Sequence, residues 1–68
     1  MENKFLKDIR EKNGITLTQL SEKTGITAAT LCLIENGKVE PRPATIKKLS
    51  DFYKIDYIEF YEKVEKGE

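Results

Sequence analysis

Three turn signals break the first 37 residues of this chain at intervals too short for any long element: Asn13-Gly14, Gly25 and Asn36-Gly37. Glycine and asparagine accept the positive φ at which helices stop, so each signal marks a helix C-terminus. The segments between them lack the two-residue alternation of a half-buried strand. Their apolar residues recur instead at three and four positions, the helical period. Short helices are stable only when packed on one another. The expected fold class is all-α, a compact five-helix bundle.

Local signals place the helices. The first is expected over about residues 3–12, with Phe5, Leu6 and Ile9 on one face. Thr16 and Gln19 have the spacing of a capping box, in which each side chain satisfies an orphan amide at a helix start. They open a second helix that Gly25 closes. Thr27 is the N-cap of a third helix, whose apolar side carries Leu31 and Ile34. After a loop from Lys38 to Arg42, Pro43 suits the first position of a fourth helix, where a missing N–H costs nothing. Ile46, Leu49 and Tyr53 follow along it. Asp56 and Glu59 repeat the box spacing and open a fifth helix bearing Tyr57, Ile58, Phe60 and Tyr61, after which the charged last residues are expected to fray.

A chain of 68 residues is expected to be one domain, residues 1–68. Its core is small, because short chains bury a smaller fraction of their surface, and a second copy is a natural supplement. Cys32 is the single cysteine and there is no histidine. A disulfide framework and a structural zinc site are therefore excluded, and a reducing compartment fits. No plausible catalytic triad or glycine-rich phosphate loop is present, so neither an enzyme nor a cofactor or metal site is expected. No apolar stretch approaches the roughly 20 residues of a membrane span, and no secretory leader is evident. A cytoplasmic protein without a membrane partner is expected.

The net charge is zero, but it is unevenly spread. Residues 1–54 hold ten Lys/Arg against seven Asp/Glu, whereas residues 55–68 hold two against five. A surface facing phosphates can still be positive if the acidic tail points elsewhere.

The most informative segment is residues 17–36, LTQLSEKTGITAATLCLIEN. Two short helices joined by a tight glycine-containing turn form a helix-turn-helix. Ser21 is small where the two helices touch, and Leu20, Ile26, Leu31 and Ile34 are spaced to pin both on a shared core. With IENGK (Ile34–Lys38), Pro41 and TIKKL (Thr45–Leu49), the chain from about Leu6 to Tyr61 resembles the XRE-like helix-turn-helix family, which includes lambda-type phage repressors and Cro proteins. The resemblance implies a five-helix bundle whose third helix enters the major groove of double-stranded DNA, usually on a homodimer.

Carried over by position, Arg10 and Glu35 match a structural pair tying helix 1 to the end of helix 3. Phosphate contacts would come from Gln19, Asn36, the amides around Gly37 and Lys38, and Arg42. Such contacts set register but read no sequence. Base contacts would fall to Thr27, Ala28, Ala29, Cys32 and Leu33. The family often places forked or polar side chains there; this chain offers alanine, cysteine and leucine, and carries Leu17 where glutamine is common. The bland reading of Cys32 is a small semi-buried hydrophobe.

Two readings of the third helix remain open. Alanine and leucine can touch thymine methyls, with Thr27 bonding a base edge or phosphate and DNA shape completing discrimination. Alternatively, Leu17, Ala28, Ala29 and Leu33 form an apolar patch for a protein partner, as in an antitoxin-like or anti-regulator module. The phosphate-contacting set favours DNA. Tyr57, Phe60 and Tyr61 are the dimer candidates; their plainer role is a lid over the core, with Ile55 and Ile58 beneath. The expected function is a sequence-specific transcriptional regulator, a repressor binding a two-fold operator as a dimer.

Overall fold

The computed structural model describes residues 3–66. Five helices follow one another: α1 (Lys4–Lys12), α2 (Leu17–Thr24), α3 (Ala28–Glu35), α4 (Pro43–Tyr53) and α5 (Tyr57–Lys66). No strand occurs among the described residues. The helix α2 packs on α3 and α4, α4 packs on α5, and α1 closes the body against α3 and α5.

Each helix start has a local cause. Asn3 Oδ1 accepts from the Leu6 amide at 3.3 Å and begins α1. Thr16 Oγ1 accepts from the Gln19 amide at 3.1 Å while Gln19 Oε1 accepts from the Thr16 amide at 2.9 Å, closing the reciprocal box of α2. Thr27 Oγ1 accepts from the Thr30 amide at 3.2 Å to start α3, and Pro43 opens α4. Asp56 Oδ2 accepts from the Ile58 and Glu59 amides at 3.1 and 3.3 Å. Here the expected box forms only in its forward direction. The Glu59 carboxylate lies 3.7 Å from Lys63 Nζ, one turn on.

Three of the helices end alike. Gly14, Gly37 and Lys54 follow α1, α3 and α4 with φ of 67°, 72° and 58°. At α3, the Gly37 amide donates to Ile34 O at 3.1 Å and the Lys38 amide to Leu33 O at 2.9 Å. The same two-bond Schellman closure joins Gly14 to Glu11 and Ile15 to Arg10, and Lys54 to Asp51 and Ile55 to Ser50. Lys54 is the exception in residue type, since a Cβ in this conformation costs roughly 1–2 kcal/mol. Glycine at this site loses part of that gain through a more flexible unfolded chain. Lys54→Gly is thus expected to stabilise the fold by about 0.5–1 kcal/mol, or roughly 2–8 °C in Tm. A lower Tm would mean that the lysine stem contributes more than its backbone costs.

The core consists of Leu6, Leu20, Ile26, Leu31, Ile34, Ile46, Leu49, Phe60 and Val64. Phe60 is 0 % exposed, edge-on to Phe5 at 5.4 Å and stacked on Tyr53 at 6.1 Å between ring centres. Its place corrects the expectation that Phe60 serves a dimer surface. Ile58, expected beneath the aromatic lid, is instead 66 % exposed. The inward residues of α5 are Phe60 and Val64, with Tyr57 and Tyr61 half-buried along the edge of that stripe; Ile58 lies off it. Buried Val64 also explains why α5 remains helical to Lys66; of the last residues expected to fray, 67 and 68 lie outside the described residues.

Asn3 joins three helix ends. Besides capping α1, its amide donates to Glu35 O at 2.9 Å, and its Nδ2 donates to Val64 O at 3.2 Å. Within the core, a cavity of about 10 Å³ is bordered by Leu6, Glu35 and Tyr53 among others. The buried Tyr53 hydroxyl makes no hydrogen bond among the described residues. Burial, reinforced by the charge of Glu35, pushes this phenol up to about 12, so it stays protonated through the neutral range.

Candidate nucleic-acid interface

The turn between α2 and α3 sets the angle at which α3 is presented. Gly25 takes φ 78° and ends α2 through its amide on Ser21 O at 2.8 Å. A Cβ there would meet nothing within 4 Å, so the backbone conformation, not crowding, asks for glycine. Thr24 Oγ1 donates to Leu20 O at 2.8 Å and accepts from the Ile26 amide at 3.3 Å, stitching both sides of the turn. Buried Ile26 then anchors the chain immediately before α3.

At its far end, α3 is held by charge. Arg10 Nε donates to Glu35 Oε2 at 2.8 Å and Nη2 to Oε1 at 3.2 Å, a two-pronged contact. A third donor, Nη1, reaches Ile15 O at 2.9 Å. The Arg10 and Glu35 side chains are only 13 % and 8 % exposed. The hydrogen bond to Glu35 raises the arginine above its ordinary value and keeps it cationic. Together, this clamp and the Gly25 turn fix both ends of α3, leaving its outer side presented without freedom to roll.

On that outer side Thr27, Ala29, Thr30, Cys32 and Leu33 are exposed, and Ala28 is half-buried. Cys32 is exposed rather than semi-buried. Leu33 is 44 % exposed. Leu17 is partly withdrawn and packs against the core, so the apolar patch is narrower than the sequence suggests. Thr30 escaped the sequence reading, although it stands three residues after the Thr27 cap as Gln19 does after Thr16. Thr27 Oγ1 donates to Thr30 Oγ1 at 2.7 Å, so the two hydroxyls form one unit.

The residues assigned to phosphate divide into two kinds. Lys38 and Arg42 are exposed cations beyond the end of α3. Gln19 is exposed, with its Oε1 held by the Thr16 amide and its Nε2 not used in that bond. Gly37 requires correction: its amide and that of Lys38 are spent on the Ile34 and Leu33 carbonyls, so neither is free for a phosphate. Gly37 supplies the positive φ of the α3 stop instead. Asn36 is likewise engaged, its Nδ2 donating to Cys32 O at 2.9 Å and to Cys32 Sγ at 3.3 Å, which leaves an acceptor, not a donor, uncommitted.

Tyr57 and Tyr61 lie half-buried on α5 with ring centres 5.9 Å apart, beside exposed Ile58. Among the described residues, no cluster of three His, Cys, Asp or Glu could hold a metal ion, and no helix is long and apolar enough to cross a membrane.

Comparison with known proteins agrees with this geometry. A helix-turn-helix family model matches residues 6–60. The HTH-type transcriptional repressor RghR of Bacillus subtilis is 47% identical over 53 residues, covering 76% of this chain and 39% of the repressor. RghRB of the same organism, an uncharacterized HTH-type transcriptional regulator, is 45% identical over 53 residues, covering 76% of this chain and 38% of its own length. The HTH-type transcriptional regulator PuuR of Escherichia coli is 33% identical over 63 residues, covering 93% of this chain and 34% of the regulator. The chain thus spans less than two-fifths of the length of these relatives. No solved structure matches it significantly.

Proposed function

Because this chain belongs to the helix-turn-helix family, we propose that it is a DNA-binding transcriptional regulator, a repressor acting at a two-fold operator as a homodimer. The observation that carries this reading is a solvent-facing α3 fixed at both ends, by the Gly25 turn and by the Arg10–Glu35 clamp. Such a helix can enter the major groove as one rigid element. In a dimer, two copies of α3 would reach successive major grooves about 34 Å apart. Repression would follow from occupancy, by blocking polymerase, and no catalytic step is involved.

The anchoring cations in this reading are Lys38 and Arg42, with Gln19 reaching a phosphate through its amide nitrogen. Thr27, Ala28, Ala29, Cys32 and Leu33 face the bases. The dimer surface is Tyr57 and Tyr61 with Ile58 in the place first given to Phe60.

The test is binding to the DNA upstream of the protein's own gene, against scrambled competitor, over a salt series. Competitor-resistant binding with a steep negative slope of log K against log salt is expected. Lys38→Ala and Arg42→Ala should weaken binding to all sequences alike, each reducing the slope by about one. A footprint with half-sites one helical turn apart would report the dimer. Absence of salt-dependent DNA binding would overturn the reading and turn attention to a protein partner seated on Ala29 and Leu33.

A further inference from the structure

The polar groups around α3 are already committed within the protein. Thr27 Oγ1 accepts from the Thr30 amide at 3.2 Å and gives its proton to Thr30 Oγ1 at 2.7 Å. Asn36 Nδ2 is held by the Cys32 carbonyl at 2.9 Å and lies 3.3 Å from Cys32 Sγ. The donors that remain are one hydroxyl proton, on Thr30, and the weak thiol of Cys32; Asn36 Oδ1, past the end of α3, remains as an acceptor. Reading a purine edge in the major groove by a two-pronged contact takes two donors from arginine or lysine for guanine, or the donor–acceptor amide of asparagine or glutamine for adenine. The exposed side of α3 has none. It carries instead the methyls of Ala29 and Thr30, half-buried Ala28, and Leu33 at 44 % exposure.

Its charge is equally selective. The single carboxylate of α3, Glu35, is buried and neutralised by Arg10. Nothing acidic on α3 therefore repels a phosphate backbone, and no cation on it pairs with an acidic protein surface. A protein partner would be favoured by a broad apolar patch, but Leu17 and Ala28 are partly withdrawn from this one.

We propose that α3 reads DNA by its methyl groups: its apolar outer side selects bases carrying a 5-methyl in the major groove, with Leu33 and Ala29 as the specificity-determining residues. The ligand class is a thymine-bearing operator in which the methyl, not a hydrogen-bonding edge, is recognised. The inference rests on the DNA-binding reading above and specifies what that surface distinguishes. Major-groove methyls are presented by thymine alone among the four ordinary bases.

The preferred duplex is first selected from a random pool, and each thymine in it is then replaced singly by deoxyuridine, which removes only the methyl. Burying one such group is worth about 0.8 kcal/mol, so affinity is expected to fall about fourfold at each contacted thymine. Deoxyuridine outside the contacted steps should be silent. Leu33→Ala, a change at an exposed position that should leave the thermal transition in place, is expected to abolish the uracil penalty at one step and preserve it at others. The salt slope should be unchanged in both cases.

Salt-dependent, sequence-selective binding that ignores uracil at every position would overturn methyl reading and leave the regulator standing. So would salt-dependent binding with no selectable sequence, or a uracil penalty that Leu33→Ala leaves intact at every step. If no DNA is retained at any salt, the regulator reading falls and methyl reading falls with it.

Discussion

Phe60→Ala is expected to destabilise the protein by about 3–5 kcal/mol, enough to leave a chain of this length near its unfolding midpoint at room temperature. Native domains hold about 0.05–0.15 kcal/mol per residue, which for a body this small means roughly 3–10 kcal/mol in all. Phe60 is 0 % exposed and sits between the Phe5 and Tyr53 rings. Alanine would leave a void bordered by α1, α4 and α5 together, and three helices cannot close on it without disturbing one another. Chemical denaturation followed by circular dichroism measures the loss. The companion substitution Ile58→Ala removes a large apolar side chain from the same helix, but one that is 66 % exposed, and should shift stability by no more than about 0.5 kcal/mol. Equal costs at the two positions would mean that the inward stripe of α5 is wrongly phased.

Arg10→Met is the second large effect, expected at about 3–5 kcal/mol. The substitution keeps much of the side-chain volume and removes the charge facing Glu35, whose carboxylate is only 8 % exposed. That carboxylate would then be buried without its two-pronged partner, and the Ile15 carbonyl would lose the Nη1 donor as well. Replacing both members, Arg10→Met with Glu35→Leu, should recover most of the loss, because a well-packed apolar pair often equals a buried ion pair in stability. The double variant separates two roles for the clamp. If it folds well yet binds operator DNA weakly, the pair serves to hold α3 in position. If it binds as the parent does, the pair contributes stability alone.

Much of this architecture is written locally. Thr16 with Gln19, Thr27, Pro43 and the three glycine stops each act within one turn of helix, so the residues that define a boundary are adjacent in sequence. The phase of α5 is not written locally. Tyr57, Ile58, Phe60 and Tyr61 make four apolar residues in five positions, and such a run fits more than one inward face. Val64, one turn further, decides for Phe60 and against Ile58. The stop after α4 is not legible for a different reason: Lys54 carries no propensity for left-handed backbone, yet adopts it just before Ile55, which packs on the core.

On the candidate interface, exposed Thr27, Ala29, Cys32 and Leu33 follow from helical period, since Leu31 and Ile34 fix the buried side, whereas half-buried Ala28 and exposed Thr30 do not. Whether a polar group there is free does not follow. The Gly37 and Lys38 amides look available in a sequence, yet both complete the α3 stop. The Thr27–Thr30 pairing likewise depends on a 2.7 Å contact between two hydroxyls that residue identity does not fix.

The three-way junction at Asn3 bears on how the molecule opens. Its link to Val64 spans 61 positions of sequence, so it exists only while all the intervening chain is in place. Releasing α5 breaks that link and uncovers Phe60, which in turn loosens Phe5 on α1. The two outermost helices therefore cannot peel away one at a time, as end helices of a linear array would. Their amides should exchange with solvent at a common rate set by whole-molecule unfolding, and the bundle should behave as a single cooperative unit.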